Sequence, residues 1–179
     1  MITVVSGTNN KESKTSVFAK YCVAFLKGKG MSVKYLDLAD LPLDFITPDM
    51  FCDQEGFHPG IREIQEEYIV AADKYIILSP EYNGSFPGIL KTFIDAISIK
   101  ENRGGLSHKK ACLIGVSAGR SGNQRGMDHL SAVLAYCMVT VYPNKLPISN
   151  IHALLENGKL VDESTQETLQ KILVDFSVF

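Results

Sequence analysis

At 179 residues, 45% of them hydrophobic, the chain is long enough to bury a sizeable core and suits one compact domain spanning 1–179. Its 18 lysines and arginines nearly balance 20 aspartates and glutamates, and a net charge of −2 leaves no basic footprint for nucleic acid or an acidic membrane. No apolar run approaches the roughly 18 residues of a membrane helix, and the opening Met-Ile-Thr-Val-Val reads as a strand without a basic leader, so a cytoplasmic location is expected.

Ile2–Val5 is a short aliphatic strand. A helix follows, with Ser13 as its expected cap and apolar positions Val17, Phe18, Tyr21, Cys22 and Phe25 recurring at three and four; Gly28 and Gly30 end it. Ser32–Leu36 reads as a second strand. The proline-bearing stretch 37–60 is irregular, and Ile61, Ile64, Tyr68 and Ala72 mark a second helix. Tyr75–Leu78 is the third strand, and Phe86, Ile89, Leu90, Phe93, Ile94 and Ile97 form the stripe of a helix beginning near Ser85. A fourth strand over Lys110–Val116, a helix over Met127–Tyr136 and a fifth strand over Met138–Tyr142 come next. Asn157-Gly158 signals a tight turn, and Ser164-x-x-Glu167 has the spacing of a capping box ahead of a last helix.

Strands that are aliphatic throughout, alternating with helices, imply a parallel sheet covered on both faces. Five of them fit a doubly wound order 2-1-3-4-5, in which ligands sit beyond the carboxyl ends of the strands. The loops after the first, third and fourth strands then open on one edge. The first, Gly7 to Thr15, offers hydroxyls, amides and a helix N-terminus, which suit a phosphate. The second, Ser79 to Gly88, offers the Tyr82 ring and the Asn83-Gly84 backbone. The third, Ser117 to Gly126, has three glycines that let the backbone approach a ligand closely, with Arg120 and Arg125 as local cations.

These loops resemble the NADPH-dependent FMN reductase family of flavodoxin-like proteins. Gly7 to Thr15 is similar to the family's first loop, G-S-x-R-x-x-S-x-N/T, with Asn10 standing where the family has arginine. Pro80 through Asp95 matches P-x-Y-N-x-S-x-P-x-x-L-K-x-x-I-D in full, and Asp37–Pro42 and Glu156–Glu163 also look like family features. The resemblance implies a flavodoxin-like α/β fold and an FMN cofactor. Hydride would pass from NADPH or NADH to FMN and on to a flavin, quinone, azo compound or similar small acceptor, in a homodimer or homotetramer. Its implied cofactor-binding residues are Thr8, Asn10, Ser13 and Thr15 in the first loop, Pro80, Glu81, Tyr82, Asn83 and Gly84 in the second, and Ser117, Gly119 and Gly122 in the third. No catalytic acid–base residue is implied, because the flavin N5 carries the chemistry. Lys11, Lys14 or the helix N-terminus would stand in for the arginine that Asn10 replaces.

Two rival readings come from other classes. Gly115-Val116-Ser117-Ala118-Gly119 fits the nucleophile-elbow pattern of a serine hydrolase, with Asp128 and His152 following in the expected order, although three glycines delay the helix an elbow should feed. A non-catalytic FMN-binding electron carrier or sensor is the other. Cys22, Cys52, Cys112 and Cys137 are too scattered for a disulfide or metal motif, and Cys22 and Cys112 read as small hydrophobes. The four histidines are isolated, so no metal site is expected.

Overall fold

A computed structural model describes residues 1–51, 58–99 and 104–179. The strands are β1 (Ile2–Ser6), β2 (Val33–Asp37), β3 (Lys74–Pro80), β4 (Lys110–Val116), β5 (Thr140–Val141) and β6 (Leu146–Ile148), with a small hairpin of β7 (Leu155–Glu156) and β8 (Lys159–Leu160). The helices are α1 (Thr15–Gly28), α2 (Pro59–Ile64), α3 (Gly88–Ile97), α4 (Gln124–Tyr136) and α5 (Glu163–Val178). The sheet runs β2-β1-β3-β4-β5, and every pairing in it is parallel.

All five residues of β1 are buried, as are six of seven in β3 and in β4, which is what helices on both faces require. Successive side chains take opposite faces. Val5, Ile77 and Leu113 pack beneath α2, α3 and α4, whereas Val4, Ile76, Leu78, Cys112 and Ile114 pack beneath α1 and α5. The buried stripe of α1 is Phe18, Ala19, Cys22 and Leu26, with Tyr21 and Phe25 half-buried beside it. Gly30, at φ +75°, closes that helix as expected.

Four expectations need correction. The fifth strand is shorter than Met138–Tyr142: Met138 is left-handed (φ +63°), and its amide and that of Val139 return to the last turn of α4. Strand position five is instead shared between β5, beside the first half of β4, and β6, beside its second half; Pro143 between them has no amide to offer a ladder. The second helix is α-helical only to Ile64 and continues as a π turn over Gln65–Val70. Side chains from outside the helix serve its carbonyls, with Tyr75 donating to Ile69 and Lys109 to Val70, both at 2.8 Å. The last helix is capped by Asp162, which accepts the Thr165 amide at 2.8 Å, and not by Ser164. Finally, α3 starts at Gly88, because Ser85 is held in a turn and Pro87 is the cap. The Asn157-Gly158 turn is where it was expected, between β7 and β8.

Candidate functional site

The carboxyl ends of β1, β3 and β4 bring the three loops to one edge. Gly7 closes the first strand against the third, its amide donating to the Leu78 carbonyl at 2.8 Å. A Cβ at Gly7 would lie 2.8 Å from that same oxygen, so only glycine lets the strand end pass so close.

Beyond Gly7 the first loop satisfies itself locally. The Asn10 amide donates to Thr8 Oγ1 at 3.2 Å, the Glu12 amide to Asn10 Oδ1 at 3.0 Å and the Thr15 amide to Ser13 Oγ at 3.3 Å. Thr8 and Thr15 are buried; Asn9 through Glu12 and Lys14 are exposed. Lys14, and not Ser13, is the cap residue of α1. It makes no side-chain cap bond, and the first turn of the helix carries no acidic residue. That leaves the positive end of the helix dipole open to an anion. Asn10 turns its side chain back on its own loop, and Lys11 and Lys14 are the exposed cations beside it.

Pro80 ends β3, paired with Val116. Tyr82 and Ser85 then exchange two backbone hydrogen bonds, at 2.9 and 3.0 Å, around Asn83 (φ +52°) and Gly84 (φ +75°). Two left-handed residues at the apex are what an Asn-Gly turn of this kind demands. The amides of Asn83 and Gly84 take no part in closing it and are unengaged among the described residues. The Tyr82 ring is partly exposed, and its hydroxyl meets Thr8 Oγ1 at 2.8 Å, joining the second loop to the first.

The third loop is tied to the second at several points. Glu81 Oε2 accepts from Ser117 Oγ at 3.2 Å and from Ser121 Oγ. Asn123, buried and left-handed at φ +60°, donates through Nδ2 to the Ser79 carbonyl (3.0 Å), Ser79 Oγ (3.2 Å) and the Pro80 carbonyl (2.9 Å). Ser85 Oγ and His129 Nδ1 meet at 2.9 Å, and Arg125 lies over Gly84, with a guanidinium nitrogen 3.1 Å from where a Cβ would be. Ser117 is anchored to the end of β6 through Ile148, and Gly119 to the segment after it through Asn150.

Thr8, Asn10, Ser13 and Thr15 thus share one loop; Pro80 to Gly84, Ser117, Gly119 and Gly122 line the adjoining two. Glu81 differs from the rest in spending its carboxylate on protein hydroxyls. Sequence reasoning missed Asn123 and Ser121. An asparagine ending a glycine-dense loop at a helix start is the signal that could have found the former.

The hydrolase arrangement does not form. Ser117 Oγ is committed to Glu81 and to the Gly119 amide, and Asp128 pairs with Lys145. Cys22, Cys112 and Cys137 are buried, and burial pushes the Cys112 thiol up to about 12 and the Cys22 thiol higher still. Cys52 lies outside the described residues. Among the described residues no three His, Cys, Asp or Glu side chains converge on a metal position, and no helix is long and apolar enough to cross a membrane.

The family model for NADPH-dependent FMN reductases matches residues 1–153. An NAD(P)H-dependent FMN reductase of Pseudomonas aeruginosa is 32% identical over 173 residues, covering 94% of this chain and 89% of that one. A 2-hydroxy-1,4-benzoquinone reductase of a Burkholderia species is 28% identical over 180 residues, covering 99% and 94%. Among solved structures, a flavoenzyme NAD(P)H:(acceptor) oxidoreductase of Paracoccus denitrificans superposes with a TM-score of 0.78 at 23% identity, over 98% of this chain and 93% of that one.

Proposed function

The chain belongs to the NADPH-dependent FMN reductase family, and from that membership we propose that FMN lies across the three loops of an NAD(P)H-dependent oxidoreductase. The observation that carries the proposal is the pairing, on one sheet edge, of an open helix N-terminus among hydroxyls with a turn whose Asn83 and Gly84 amides are unengaged. That donor set fits the two ends of FMN, an anionic phosphate and a flat heteroaromatic edge.

Thr8, Ser13, Thr15 and the amino end of α1 would hold the phosphate, helped by Lys11 or Lys14 in place of the missing arginine. Asn83 and Gly84 would offer amides to the isoalloxazine edge, with Tyr82 and the backbone of Ser117 to Gly122 as its further contacts. Bound there, FMN would supply the redox chemistry that links NADPH or NADH to a flavin, quinone, azo compound or similar small acceptor. The protein's own work is orientation and electrostatics, and no side chain is assigned a proton transfer.

We read the molecule as a cytoplasmic homodimer or homotetramer formed by a single domain. The groove between α3 and α4 supports a paired state: it has a volume of about 360 Å³ and is lined by Ile94, Val133 and Tyr136 among others. A monomer in sedimentation analysis at micromolar concentration would contradict it.

The absorption spectrum of FMN-supplemented, desalted protein tests the main reading. A retained flavin band that bleaches on anaerobic addition of NADPH and returns with a quinone is expected. Loss of the flavin on desalting contradicts FMN binding. A retained band that NADPH leaves untouched contradicts the reductase reading and favours an electron carrier or sensor.

A further inference from the structure

Glu81 lies inside the second loop, yet its carboxylate faces the third. Oε2 accepts from Ser117 Oγ at 3.2 Å and from Ser121 Oγ. A serine hydroxyl has one proton to give and lone pairs to receive with, and an ionised carboxylate only accepts. Both hydroxyl protons therefore point at Glu81, and the lone pairs are left for amides. Ser117 Oγ accepts the Gly119 amide at 3.1 Å, and Ser121 Oγ accepts the Asn123 amide at 3.3 Å. Carboxylate, hydroxyl and amide form two short relays that fix the backbone of residues 117–123. The neighbouring residue, Tyr82, bonds Thr8 in the first loop at 2.8 Å, so adjacent residues of one turn reach both of the other loops.

We propose that Glu81 is a positioning residue: its carboxylate does not contact FMN but latches the third loop in the conformation that receives the isoalloxazine. This rests on the FMN reading above. It changes the part that the family resemblance implied for Glu81 from ligand contact to support, and it adds Ser121 as a second strut.

A double-mutant cycle on FMN affinity, followed by quenching of FMN fluorescence, separates support from contact. Glu81→Ala and the pair Ser117→Ala/Ser121→Ala should each weaken FMN by about tenfold. Combining all three should cost little more than the larger single effect, because each removes the same latch. Multiplicative losses, approaching about a hundredfold in the combined variant, would show Glu81 touching the flavin directly and overturn the proposal. So would a Glu81→Ala protein that binds FMN as tightly as the parent.

Amide exchange in the flavin-free protein gives a second readout that does not depend on FMN. In Glu81→Ala the Gly119 and Asn123 amides should exchange faster while those of β3 and β4 keep their protection; unchanged exchange at Gly119 and Asn123 overturns the latch. If the parent protein bound no FMN, the reductase reading would fail, and the exchange result would still decide the latch.

Discussion

The first loop and the joined second and third loops share one edge of the sheet but are held in opposite ways. Between Asn9 and Lys14 the chain is mostly exposed, and its side-chain hydrogen bonds reach only two or three residues along the sequence. The second and third loops are joined by side chains that reach across the fold, from Ser117 and Ser121 to Glu81, from Asn123 to Ser79 and Pro80, and from His129 to Ser85. Short-range hydroxyl–amide bonds can be exchanged for bonds to a phosphate at small net cost, since one set of acceptors replaces another. Long-range bonds fix geometry before a ligand arrives and lower the ordering cost of binding. On the proposed reading, the isoalloxazine side of the site would be held before the ligand arrives, and the phosphate side would be the part free to adjust to it.

The hardest way to break this contrast is at Asn123. Replacing it with alanine removes the buried amide that serves the Ser79 carbonyl, leaves the Pro80 carbonyl only the Ser79 hydroxyl, and puts alanine at a left-handed position, at a cost of about 2–4 kcal/mol. Tm should fall by roughly 5–12 °C in a thermal melt; an unchanged Tm would mean that the third loop is not held as described. Ser13→Ala addresses the other side. It should weaken FMN by about fivefold while leaving riboflavin affinity unchanged, because only FMN carries the phosphate. Equal losses for the two ligands would place Ser13 away from the phosphate.

Smaller effects sharpen the comparison. Asn10→Arg adds a fixed cation beside the amino end of α1 and should tighten FMN about two- to fivefold at low ionic strength, with the gain fading as salt rises. A gain that persists at high salt would point to a direct hydrogen bond instead.

The two helix N-termini offer the mildest test. That of α5 is closed by Asp162, whereas that of α1 has no side-chain cap. Hydrogen bonds from the Thr165 side chain and then from its amide hold the Asp162 carboxyl below its ordinary value of 3.8. The folded state therefore binds this proton less readily than the unfolded chain does. The cap's contribution is present above pH 3.8 and is lost as pH falls through the folded value. Asp162→Ala should lower Tm slightly at neutral pH, with the difference vanishing in strong acid and FMN affinity unaffected; a difference independent of pH would contradict the cap.

Much of this architecture was legible in the residues. β1, β3 and β4 announce themselves as unbroken aliphatic runs, because burial on both faces removes the alternation that would confuse a strand with a surface element. The fifth strand was misread because its apolar run straddles the left-handed end of α4 and is cut by Pro143, two local events that outweigh β-propensity. The π turn could not be seen, since the carbonyls it frees are served by Tyr75 and Lys109 from other elements.

At the site, the loops could be found from strand order and the Pro80–Asp95 signature. The direction of the Glu81 side chain and the burial of Asn123 could not, because both depend on partners some forty residues away in sequence. Loop composition speaks to the ligand a loop can receive, and long-range bonds decide which loops wait ready for it.

Amide hydrogen exchange with and without FMN tests the central claim most directly. Residues 8–16 should gain a large degree of protection on FMN binding. At 117–123, already protected in the flavin-free protein, the change should be small. Strong protection of residues 8–16 before FMN is added, with the gain confined to 117–123, would contradict it.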